Sequence, residues 1–127
     1  PYIVDWSAPG LNEKAMLNHL AYQGDIVIRK DAFGVFEGNP YADRIVQAIN
    51  PTKVIVYGVA LNVCVDQAIS GLVKRPGLEV YAVMDAIKEL PDSMAKVPTS
   101  VTLDQWKSKN VRCIGVEDVV RGTYGRR

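Results

Sequence analysis

Five short apolar runs punctuate the chain: Tyr2–Val4, Ile26–Ile28, Val54–Tyr57, Val80–Met84 and Val111–Ile114. Several are apolar at every position rather than at alternate ones, the pattern of strands buried on both faces. Between them, apolar residues recur at helical spacing. Leu11–Tyr22 carries a loose stripe of Leu11, Ala15, Leu20 and Ala21. Asn39 is placed to cap a helix that opens on Pro40 and runs to Ile49, carrying Tyr41, Ile45 and Ala48. In Val63–Lys74, the residues Val65, Ala68, Ile69, Leu72 and Val73 fall at i, i+3, i+4, i+7 and i+8, and Pro76-Gly77 stops the pattern. A last helix over Ser100–Ser108 contains Val101 and Trp106, and Pro98 discourages it from starting as early as Ser93.

Strand-like runs that alternate with helical segments predict an α/β fold of three layers, α/β/α, around a mostly parallel central sheet. Right-handed crossovers set the runs 54–57, 80–84 and 111–114 side by side, with their C-terminal ends on one edge. Ligands of open α/β sheets gather at that edge. The segments that reach it are Lys30–Gly38, Gly58–Cys64 and Asp85–Asp92.

Length and composition narrow the function classes. A chain of 127 residues fits a single domain, 1–127. The formal net charge of +1 provides no field to attract nucleic acid or an acidic membrane. The basic residues Arg121, Arg126 and Arg127 read as a solvated tail rather than a nucleic-acid arm. No apolar stretch approaches the roughly 20 residues that span a bilayer, and the start lacks the pattern of a signal peptide. The two cysteines, Cys64 and Cys113, need no disulfide framework, and reduced thiols point to a cytoplasmic protein.

Three segments could carry chemistry. In Val54–Asp66 a buried strand ends at Gly58, a short turn follows, and Cys64 stands at the start of an amphipathic helix. The unpaired N–H groups and positive dipole of a helix start stabilise a thiolate there. They also suit the oxyanion formed when that thiolate attacks a carbonyl. The competing reading is a small buried apolar residue, and position alone leaves the two level. Cys113, inside Val-Arg-Cys-Ile-Gly, reads as core packing. In the second segment, Asp25–Gly38, a short strand delivers Lys30 to the ligand edge, where it could stabilise a thiolate; Phe33 and Phe36 could wall a small apolar pocket. Unaided, a surface lysine that ends a strand is the plainer account. In the third, Asp5 ends the first run and could either accept a thiol proton or cap the next turn. Asp85 has the same two readings, the turn being favoured. His19 is the only histidine and lies on the 11–22 helix, so neither a Cys–His pair nor a zinc site is expected. No glycine-rich phosphate loop is present, and no cofactor is expected.

These residues resemble the isochorismatase-like cysteine hydrolases, which include nicotinamidases and related amidases. The likeness lies in Gly58-Val-Ala-Leu-Asn-Val-Cys-Val65, a following helix, and Val80-Tyr-Ala-Val-Met-Asp-Ala86, against the family's Gly-Val-x-Thr-x-x-Cys-Val, helix and strand ending Asp-Ala. Upstream, Ile28–Phe36 is similar to its Lys-x-x-x-Ser-x-Phe segment. The resemblance implies a nucleophilic Cys64 in an Asp–Lys–Cys triad with Lys30. It also implies a cis Val59–Ala60 peptide and an oxyanion hole from the N–H groups of Ala60 and Cys64. Leu61 stands where the family usually has threonine. The triad aspartate is either Asp5 or a residue of an N-terminal strand and helix that precede Pro1 in the family. On the second reading Tyr2–Ser7 is similar to the strand where nicotinamidases carry metal ligands Asp-x-His; Ser7 replaces that histidine, so no metal is expected. The activity implied is hydrolysis of a carbon–nitrogen bond, other than a peptide bond, in a small-molecule amide, through a thioester. The partners implied are that substrate and further copies in a homo-oligomer. A catalytically silent binding domain on the same fold is the alternative.

Overall fold

The computed structural model describes residues 1–22 and 24–124, so Arg126 and Arg127 of the basic tail lie outside the described residues. Its contacts gather into two compact units, Pro1–Pro51 and a second that begins at Thr52.

In the first unit, β1 (Tyr2–Val4) and β2 (Ile26–Ile28) pair in parallel, with Tyr2 opposite Ile26 and Val4 opposite Ile28. The crossover is helix α1 (Glu13–Tyr22). It opens two residues later than the apolar stripe predicts, because the Asn12 side-chain oxygen accepts the Ala15 N–H at 3.0 Å and caps the first turn. Its fully buried residue is Met16, not one of the four in the predicted stripe; Met16 joins Val4 and Ile45 in a small core with Leu11, Ile26 and Ile28 against it. An unforeseen short helix, α2 (Val35–Gly38), precedes α3 (Ala42–Ile49). Helix α3 opens at Ala42 rather than Pro40, and its N-cap residue is Tyr41, with no side-chain cap; Asn39 instead closes the turn before it, its oxygen accepting the Tyr41 N–H at 2.8 Å. The same buried amide donates to the carbonyls of Val4 (3.1 Å) and Arg29 (2.7 Å). One side chain thus ties the ends of both strands to α3.

In the second unit, β3 (Lys53–Val59), β4 (Glu79–Lys88) and β5 (Arg112–Ile114) form a parallel sheet in that order. The residues Val80–Val83 of β4 are all buried, as a strand covered on both faces requires. A π-helical turn, Leu61–Val65, runs directly into α4 (Asp66–Leu72), so the helix read from the sequence starts earlier and with a wider turn than its periodicity indicates. Val65, Ile69 and Leu72 bury the predicted face. Helix α5 (Thr99–Ser108) packs Trp106 and Thr102 inward, and α6 (Val116–Arg121), which no apolar period announces, follows β5.

Both long strands outrun their apolar runs. β4 does not end at Met84: its pairing with β3 slips between Val56–Ala82 and Gly58–Ile87, then continues to Lys88. Gly58 sits at that slip with φ +129°, a backbone conformation only glycine enters without strain. Asp85 lies inside β4, where its carboxylate accepts the Val116 N–H at 2.8 Å and caps α6 together with Asp118. Cys113 is not core. It is exposed on β5, an edge strand of this sheet, and lines a shallow groove with Met84, Leu103 and Val111. That partial cover still withdraws enough water to push its thiol above the ordinary value.

The architecture is therefore α/β with parallel sheets, the class expected. Among the described residues no helix is long and apolar enough to cross a membrane.

Candidate active site

Cys64 occupies the π turn that follows β3, half-buried at the C-terminal edge of the sheet. The Val59–Ala60 peptide is cis, as the resemblance implied. The Ala60 carbonyl collects the N–H groups of Val63 (3.1 Å) and Val65 (3.0 Å), which closes the turn on both sides of the cysteine. Leu61 is 3% exposed, so the residue that departs from the family's threonine serves as packing.

Two polar side chains, the buried Asn62 and the half-buried Asp66, hold this turn, and neither stood out in the sequence. Asn62, 6% exposed, donates to the carbonyls of Leu90 (3.2 Å) and Val97 (3.1 Å) and accepts the Leu90 N–H (3.0 Å). Asp66, two residues beyond Cys64, accepts the indole N–H of Trp106 at 2.8 Å. The only hint available was a polar residue set inside an apolar run at 59–65. Such a residue must find partners once it is buried, but nothing local says where.

Lys30 follows β2 in the first unit. Its exposed ammonium donates to the carbonyls of Ala32 (3.0 Å) and Phe33 (2.8 Å), so the side chain folds over its own loop. The loop closes where the Asp31 N–H reaches the Gly38 carbonyl at 3.1 Å. A Cβ on Gly38 would stand 2.8 Å from both the Ala32 nitrogen and the Lys30 Cβ, so this position has room for glycine alone. Phe33 is 68% exposed and Phe36 partly buried.

Asp5 is engaged locally. Its carboxylate accepts the N–H (3.0 Å) and O–H (2.7 Å) of Ser7 and lies 3.6 Å from Arg29. The Ser7 hydrogen bonds, aided by the Arg29 charge, hold its carboxyl below the usual range. It is therefore ionised at neutral pH but a weak proton acceptor. Among the described residues no three His, Cys, Asp or Glu side chains gather to hold an ion. His19 faces Tyr2, with Nε2 buried and lacking a hydrogen-bond partner, 4.0 Å from Asp25.

Residues 3–103 match the family model described as the isochorismatase domain. The chain belongs to the isochorismatase family. Among solved structures it is similar to a pyrazinamidase of Pyrococcus horikoshii in complex with zinc (27% identity, TM-score 0.55, covering 72% of this chain and 51% of that one). It also resembles the yeast nicotinamidase (15%, 0.54, 83% and 52%) and the nicotinamidase of Staphylococcus aureus (14%, 0.57, 87% and 69%). The last two likenesses are of fold. The chain spans about half the length of the first two relatives. No curated protein matches it.

Proposed function

We propose that the protein cleaves the carbon–nitrogen bond of a small amide, with Cys64 as nucleophile. The observation that carries this reading is Cys64 in a braced turn at the C-terminal edge of a parallel sheet, within the region matched to the family. The Cys64 thiolate attacks the amide carbonyl carbon, forming a C–S bond and a tetrahedral oxyanion. The N–H groups of Ala60 and Cys64, with the Lys30 ammonium, stabilise that charge. The oxyanion collapses, the C–N bond breaks, and ammonia or an amine leaves with the proton taken from the thiol. Water then hydrolyses the thioester to release the acid and restore the thiol. Asp5 is this chain's candidate to carry that proton, though its contacts with Ser7 and Arg29 weaken it as a base. Phe33 and Phe36 are proposed to contact the substrate. A small amide substrate is supported by relatives that are named nicotinamidases and a pyrazinamidase.

Two measurements test this. Nicotinamide and pyrazinamide should release ammonia in the presence of the protein, and Cys64→Ala should abolish the release. A thiol-directed electrophile at neutral pH should label Cys64 much faster than Cys113, because a thiol raised by desolvation holds little thiolate there. Equal labelling of the two, with no amide turned over, sinks the reading.

A further inference from the structure

β4 ends at Lys88 and α5 begins at Thr99, leaving a strap, residues 89–98, between them. The strap is internally ordered: the N–H groups of Met94 and Ala95 reach the Pro91 carbonyl, and Asp92 accepts the Thr99 N–H at 3.3 Å. Its two ends converge on one side chain, since Leu90 and Val97 both bond to Asn62. Only a carboxamide can do this, because the position asks for two donations and one acceptance from a single planar group. Asn62 is two residues from Cys64 in the same turn. Whatever displaces the strap pulls on the turn that carries the thiol.

We propose that Asn62 is a positioning residue, through which the 89–98 strap sets the orientation and reactivity of Cys64. The assignment rests on Cys64 being the nucleophile and goes beyond that by naming the device that holds it. A buried amide with three protein partners cannot lose one cheaply, so the turn and the strap form one cooperative piece. Trp106 on α5 bonds to Asp66, just past the turn, while Asn62 bonds the turn itself to the strap.

Native-state hydrogen exchange on the full chain reads the coupling without any mutation. The Leu90 amide and the amides of 61–65 should open together as one unit. Separate opening of Leu90 overturns the proposal. Asn62→Leu, similar in size and unable to hydrogen-bond, should release both segments together. It should also slow Cys64 alkylation and amide turnover by up to about 10²-fold, the scale on which a misplaced reacting group loses rate, with little change in KM. Asn62→Asp keeps the acceptor for Leu90 but sets a carboxylate against two carbonyls. It should move the pH–rate profile of Cys64 alkylation to higher pH, because negative charge near the sulfur opposes the thiolate. If Asn62→Leu folds and its profile overlays the unmodified chain, the positioning role is wrong. If Asn62→Leu does not fold, the native-state exchange decides. Slow, unselective Cys64 labelling in the unmodified chain would instead count against the nucleophile reading, whatever the exchange shows.

Discussion

Lys30 and Cys64 each follow the C-terminal end of a parallel strand, and the chain holds them by opposite means. Around Lys30 the fastening is mainly backbone: an exposed ammonium bonded to two carbonyls of its own loop, and a loop closed at Gly38 where no side chain fits. Around Cys64 it is side chain: the buried Asn62 amide of the turn and the Asp66 carboxylate just past it reach the distant Leu90 and Val97 carbonyls and the buried Trp106 indole. Hydrogen bonds of an exposed ammonium compete with water and are individually weak, so Lys30 can leave its carbonyls when a stronger negative charge develops. The ties of the cysteine turn are partly buried and have less water to fall back on. On the proposed reading, the first region lets a charge reorient and the second keeps a sulfur still.

The largest test of that contrast is Lys30→Met. If Lys30 serves the oxyanion, turnover of a small amide should fall about 10²–10³-fold, roughly 3–4 kcal/mol of barrier, while thermal stability barely moves. Cys64 alkylation should slow at neutral pH as well. An unchanged pH–rate profile would leave Lys30 as the end of a strand and no more.

Gly38→Ala probes the backbone fastening itself. The added methyl meets the Ala32 nitrogen and Lys30 Cβ at 2.8 Å, so the loop must shift, at a cost of about 1–3 kcal/mol in a denaturant melt. Turnover should fall with it, since Lys30 moves. Full stability in the variant would mean that the 30–38 loop is looser than its close contacts indicate.

The smallest effect concerns Asp5→Asn. The folded carboxyl is held below its unfolded value of about 3.9 by Ser7 and Arg29. It therefore contributes stability that is present above that value and lost as pH falls through the lower folded one. The gap between wild type and Asp5→Asn in thermal unfolding should be constant near neutrality and shrink in acid. Turnover sharpens the contrast further: loss of activity in Asp5→Asn with stability intact marks Asp5 as the proton carrier. Unchanged turnover with that acid-side signature leaves it a turn residue.

The apolar runs and helical stripes by themselves determined the α/β class, the five strands, the face of α4 that turns inward and the position of Cys64 at a strand-to-helix turn. These are legible because burial imposes a period on the chain, and Gly58 and Pro76-Gly77 break that period where it must stop. The family motif added the cis Val59–Ala60 peptide. What no local pattern carried was the fate of polar side chains. Asp85 read as a turn residue more readily than a site residue, and neither reading foresaw that α6 would take its carboxylate. Cys113 read as core because its neighbours in sequence are apolar, yet an edge strand is covered only as far as other elements reach. Asn62 passed unremarked because its partners lie 28 and 35 residues away. A hydrogen bond is made with whatever the fold brings within 3 Å or so, and sequence distance says nothing of that. Hydrophobic periodicity laid down the scaffold, and only the tertiary structure decided which polar groups hold the cysteine in place.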